Sequence, residues 1–98
     1  MTTLSYKERP ALALSVIKIL SNSSRYVLMS IMLSTKRDLC VNELSERVGI
    51  SQSATSHQLA YLEARGVVKS IRMGKTKCYI PADSALTRKV EKVIQSLK

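Results

Sequence analysis

The three-residue step Gly49-Ile50-Ser51, set between two stretches of helical periodicity, constrains this chain more than any other feature. Glycine ends helices because it takes the left-handed backbone without a Cβ penalty, and serine starts them because its hydroxyl accepts an orphan backbone N–H. Upstream, Val41, Leu44 and Val48 recur at i, i+3 and i+7. Downstream, Thr55, Leu59 and Leu62 mark one side of a helix that Ser51 caps, that runs to about Ala64 and that Gly66 closes. Two helices on so tight a turn have the spacing of a helix-turn-helix, in which the second helix enters the DNA major groove and the first braces it.

The flanking segments extend the pattern. Leu12, Val16, Ile19 and Leu20 give a first helix from Pro10 to Leu20, and the polar string Ser21 to Ser24 leads into a second over Tyr26 to Leu33. A charged turn, Thr35 to Asp38, separates these from the helix-turn-helix. After Gly66 the rhythm changes: Val67, Val68 and Ile71 favour strand, and a second strand over Lys77 to Ile80 follows a turn at Gly74, giving a two-stranded hairpin. Pro81 and Asp83 open a last helix with Leu86, Val90, Val93, Ile94 and Leu97 in one apolar stripe. The fold class is mainly α with a small β-hairpin, a winged helix-turn-helix in the order α-α-α-α-β-β-α. With no repeat and no linker, residues 1–98 read as one domain, its first and last helices serving dimerisation.

The periodicity of the fourth helix sorts its residues by face. Gln52, Ser53, Ser56, His57 and Ala60 lie opposite Thr55, Leu59 and Leu62. A glutamine pairs bidentately with adenine, serine reaches several base edges, and a helix N-terminus favours phosphate oxygens, so Gln52, Ser53, Ser56 and His57 are the candidate groove residues. Arg65, Lys69, Arg72, Lys75 and Lys77 follow with no acidic residue between Arg65 and Ile80. A solvated surface mixes signs; an acid-free run suits the phosphate backbone, with Arg72, Lys75 and Lys77 as the candidate wing contacts.

Composition agrees. Sixteen Lys and Arg against seven Asp and Glu give a net charge of +9, a field that favours polyanions and nucleic acid first. Met1 to Pro10 lacks a signal-peptide apolar core, Lys18 breaks the best hydrophobic run, and Cys40 and Cys78 read as two isolated thiols, all of which place the chain in the cytoplasm with no membrane partner.

The stretch from Leu39 to Tyr79, LCVNELSERVGISQSATSHQLAYLEARGVVKSIRMGKTKCY, resembles the ArsR/SmtB family of small winged-helix repressors. SQSATSHQL is close to that family's recognition-helix pattern, and SNSSR at Ser21 to Arg25 is similar to the segment that opens its second helix. The resemblance implies a homodimer built from the first and last helices, repression of a nearby operon, and release on binding an effector. It also implies where metal would bind, and this chain departs there. The cysteine pair of the third helix is here Cys40 with Asn42, and the Asp-x-His start of the last helix is Asp83-Ser84-Ala85 with Ser96 and no later histidine. A zinc site needs about three or four ligands, so no metal and no cofactor is expected.

Other roles weigh less. His57 has no thiol or carboxylate at motif spacing that would make it a ligand or a catalytic base, and no nucleophile-base pair, paired carboxylates or glycine-rich phosphate loop suggests an enzyme. Cys40 is a possible redox residue if exposed at a helix start, or a small buried residue otherwise; Cys78 reads as packing, and a bond between the two is left open because sequence gives no distance. The stripe of the last helix is core or dimer seam, and the seam is favoured because so small a domain can hardly bury it alone. Met29, Met32 and Met73 read as packing residues, and Tyr61 and Tyr79 as supports of the helix and wing with no assigned chemistry. The leading reading is a repressor that binds a palindromic operator in double-stranded DNA as a homodimer. The alternative is a winged-helix module that binds an acidic protein partner. The effector, if any, is unknown: a thiol switch, a small-molecule pocket and a constitutive binder all fit the sequence.

Overall fold

The computed structural model describes residues 10–35 and 37–98. The leader reading at Met1 to Pro10 therefore falls outside the described residues except for the backbone of Pro10, as does Lys36 in the charged turn. The elements are α1 (Pro10–Leu20), α2 (Ser23–Thr35), β1 (Leu39–Cys40), α3 (Val41–Val48), α4 (Gln52–Ala64), β2 (Val68–Met73), β3 (Thr76–Pro81) and α5 (Ala85–Ser96).

Each boundary has a local cause. Helix α2 begins three residues before Tyr26 because the Asn22 side chain accepts the Arg25 N–H at 3.0 Å and its carbonyl accepts the Tyr26 N–H at 2.9 Å. Helix α3 stops where Gly49 takes φ 84°, its N–H donating to the Ser45 carbonyl at 2.8 Å. Two residues later the Ser51 hydroxyl accepts the Ala54 N–H at 3.0 Å and starts α4. Helix α5 is capped by Ser84, whose hydroxyl accepts the Thr87 N–H at 3.1 Å. Pro81 does not open that helix as expected. It ends β3 opposite Val68, past the residues that β1 pairs, so its missing N–H costs no bond to β1.

The sheet is larger than a hairpin. Strands β2 and β3 join through the two-residue turn Gly74-Lys75, with Met73 opposite Thr76 and Gly74 at φ 66°, a left-handed value that glycine supplies cheaply. The third strand, β1, pairs antiparallel with β3 through Leu39 opposite Tyr79 and Cys40 opposite Cys78, giving the order β1-β3-β2. Burial explains it: Leu39 and Tyr79 are both inside, so two residues suffice to lay the chain along β3. The pairing also joins Cys40 and Cys78 in a disulfide, which corrects the reading of two isolated thiols.

One core links every helix. Ile19, Leu28, Met32, Leu44, Leu59 and Val90 are each wholly removed from solvent. Met29 and Met32 are packing residues as expected, whereas Met73 is 52% exposed on the wing. The apolar stripes divide between core and surface. On α1, Val16 and Ile19 are buried while Leu14 and Ile17, on the opposite face, are 54% and 61% exposed. On α5, Val90 and Ile94 are buried while Val93 and, just past the helix, Leu97 face outward. No described helix is long and apolar enough to cross a membrane.

Leu59 holds α4 to this core, so Leu59→Ala is expected to cost about 2–5 kcal/mol in urea unfolding followed by circular dichroism, with the slope unchanged. Gln52→Ala, on the outer face of the same helix, is expected to stay within about 0.5 kcal/mol of the parent. Equal costs for the two variants would contradict the burial that orients α4.

Candidate nucleic-acid interface

The first turns of α4 present a polar surface because its other side is consumed by the core. Thr55, Leu59 and Leu62 are completely buried, and Gln52, Ser53, Ser56, His57 and Ala60 are all exposed on the opposite face. Thr55 is the one polar member of the inner face, and its hydroxyl is satisfied by donating to the Ser51 carbonyl at 2.8 Å. The four candidate groove residues are thus brought together on one rigid, capped helix.

The wing carries the charge. Arg72 on β2, Lys75 in the turn and Lys77 on β3 are exposed, as are Arg65 and Lys69. Arg72 and Lys77 are register partners directly across the two strands. Like charges so placed repel, an arrangement that destabilises the bare strands and that an anion lying between them would relieve.

Glu63 is the only acid from Ser51 to Pro81 and fixes the wing to the helix. Its Oε2 accepts the Ser70 hydroxyl at 2.7 Å and the Ser70 N–H at 3.3 Å, while Oε1 lies 4.0 Å from Lys77 Nζ. The ion pair is long and exposed and counts for little; the two bonds from Ser70 set the angle between α4 and β2.

On the other flank, Arg25 joins α1, α2 and α4. Its guanidinium donates to the Ile19 and Lys18 carbonyls at the end of α1 and to Gln58 Oε1 on α4, at 3.1, 2.9 and 3.0 Å. It also lies 4.1 Å from the centre of the Tyr61 ring, over which Arg65 sits at 4.7 Å. The Arg65 guanidinium lowers the Tyr61 phenol from its ordinary value; burial opposes this, and the charges of Arg25 and Lys18 add to it. At the base of α3 the Arg37 side chain, 3.0 Å away, holds the Glu43 carboxyl below its ordinary value, with a further bond from the Cys40 N–H.

Sequence reading missed Arg25, Gln58 and Glu63 as parts of this frame, while Tyr61, read as a support of the helix, carries Arg25 and Arg65 over its ring. Glu63 left a signal, since a single acid in a long basic stretch needs a reason; Gln58 left none. The candidate redox residue Cys40 precedes α3 and is bonded to Cys78 on β3, beside Lys77. Among the described residues no group of three or more His, Cys, Asp or Glu is placed to hold a metal ion.

Residues 22–70, half of the chain, match the model described as bacterial regulatory protein, arsR family. The chain is 34% identical over 79 residues to a transcriptional repressor SmtB homolog of Synechocystis sp., a match covering 81% of this chain and 58% of that protein. It spans only 60% and 50% of the length of two Halobacterium salinarum relatives. Among solved structures, HlyU from Vibrio cholerae N16961 superposes with a TM-score of 0.78 at 28% identity, covering 92% of this chain and 96% of that one. The AntR antimony-specific transcriptional repressor gives 0.81 at 25% identity, over 98% and 86% of the two chains. The matched segment runs from the start of α2 through the helix-turn-helix into β2, and on that ground the chain belongs to the arsR family of bacterial regulatory proteins.

Proposed function

We propose that this chain is a cytoplasmic transcriptional repressor, one winged helix-turn-helix unit over residues 1–98, that binds a palindromic operator in double-stranded DNA as a homodimer. The observation that carries the reading is the two-sidedness of α4. Its buried face leaves Gln52, Ser53, Ser56 and His57 together in solvent, flanked by a wing whose cations oppose one another across the strands. In this reading the α4 side chains read base edges, and Arg72, Lys75 and Lys77 follow the phosphates and add affinity that falls with salt. The role is binding rather than catalysis. The outward Leu14 and Ile17 of α1, with Val93 and Leu97 at α5, support a seam with a second copy, because apolar side chains so exposed on neighbouring helices call for a cover.

Fluorescence anisotropy tests the DNA reading. The protein is expected to bind a duplex from upstream of its own coding sequence about three orders of magnitude more tightly than a scrambled duplex. Gln52→Ala is expected to reduce that discrimination, and Lys75→Ala to lower the slope of log affinity against log salt by about 1 while weakening both duplexes alike. No binding to either duplex even at low salt would favour instead an acidic protein partner for the wing.

Sedimentation tests the seam. The parent chain is expected to run as a dimer at micromolar concentration and Ile17→Glu as a folded monomer with weakened operator binding. A monomeric parent at that concentration contradicts the homodimer.

A further inference from the structure

Cys40 and Cys78 lie on different DNA-facing elements. Cys40 is the last residue of β1 and the N-cap of α3, the brace of the helix-turn-helix; Cys78 lies on β3, one residue from Lys77 of the wing. They are opposite each other in the register and joined through sulfur, closing a sequence separation of 38 residues. The link adds no apolar burial: Leu39 and Tyr79, the neighbouring pair on the same two strands, are already in the core. What it adds is a covalent tie between brace and wing, in a place where only two residue pairs otherwise hold β1 to β3.

We propose that Cys40 and Cys78 form a reversible thiol oxidation site for hydroperoxides, whose disulfide state locks the wing onto the helix-turn-helix and whose dithiol state releases it. The two sulfurs differ in access. Cys78 is completely buried, while Cys40 is partly exposed at the end of a two-residue strand, so the oxidant meets Cys40 first. The Cys40 thiolate attacks the peroxide oxygen, the O–O bond breaks, and an alcohol (water, for hydrogen peroxide) leaves as Cys40 becomes a sulfenic acid. Cys78 sulfur then displaces the sulfenic oxygen, which departs as water with the Cys78 thiol proton. In total two thiols and one hydroperoxide give one disulfide, one alcohol and one water, with two electrons passing from sulfur to oxygen. Thiol reductants reverse the step by exchange. Because α3 packs on α4 and β3 pairs with β2, the bond governs how the cationic strand sits beside the recognition helix. Fixing that geometry in advance removes an ordering cost from DNA binding, so the disulfide form is the tighter binder.

The experiment treats the full chain, reduced and then desalted, with one equivalent of hydrogen peroxide, and reads intact mass, amide hydrogen exchange and thermal unfolding. The expected result is loss of two hydrogen atoms in mass, slower exchange over Thr76–Pro81 and a midpoint higher by about 10 °C or more, all reversed by dithiothreitol. Cys78→Ser is expected to retain a sulfenic acid on Cys40 that a dimedone probe captures, and Cys40→Ser to consume peroxide far more slowly. A mass gain on single thiols in the parent, or disulfide formation with no change in exchange over the wing, overturns the proposal. The DNA arm rests on the function proposed above. The oxidised form is expected to bind the upstream duplex about fivefold more tightly than the reduced form, a difference absent from both serine variants. Equal affinity of the two forms overturns the switch. Failure of both forms to bind any duplex removes the DNA reading, and the exchange result still decides the lock.

Discussion

Burial of Leu59 and Leu62 is the constraint on which the rest of the molecule depends. A helix has one period, so once these two residues and Thr55 are placed against the core, the orientation of Gln52, Ser53, Ser56 and His57 is no longer free. The polar face is held out by the apolar one. This explains how a helix without a large charge of its own presents a rigid polar surface, and why the caps at Gly49 and Ser51 matter. They set where the helix begins, hence which side chains stand in its first turn.

The wing rests on a second constraint, electrostatic rather than apolar. Five exposed cations between Arg65 and Lys77 contribute nothing to folding by themselves, and the Arg72–Lys77 opposition works against it. The sheet tolerates them because its other end is anchored by Val68, Cys78 and Tyr79 in the core and because Glu63 receives Ser70 from β2. Packing and charge are thus separated along the same two strands: the end near α4 packs, and the end near Gly74 projects charge.

How far the sequence disclosed this follows from the same physics. Long periodic stretches and terminal caps were legible: α1, the α3–α4 unit, both hairpin strands and the inner face of α4 fall where spacing, glycine and serine place them. Strand β1 was not, because Leu39-Cys40 is too short for any alternation to register and exists only through its pairing with β3. The disulfide followed it out of sight, since only that pairing brings Cys40 to Cys78. Pro81 misled because proline suits both a helix start and a strand end, and the neighbour that decides between them, Val68, is distant in sequence. Met73 was read as a packing residue, although its place beside the Gly74 turn puts it at the projecting tip of the wing.

The candidate site cannot be regarded as α4 and the wing in isolation, because Arg25 joins it to the opposite side of the molecule. One guanidinium holds two carbonyls at the end of α1, the Gln58 side chain on α4 and the face of Tyr61. Its planar fork makes these bonds in fixed directions, so α1 cannot shift along α4 without losing at least one of them and leaving a partly buried donor unpaired. Helix α1 is also the element whose outward Leu14 and Ile17 lack a cover. The apolar surface that would meet a second copy and the polar surface that would meet DNA are therefore mechanically joined through a single side chain. In the proposed dimer the distance between the two α4 helices would then follow from the path that runs from the α1 seam through Arg25 to α4.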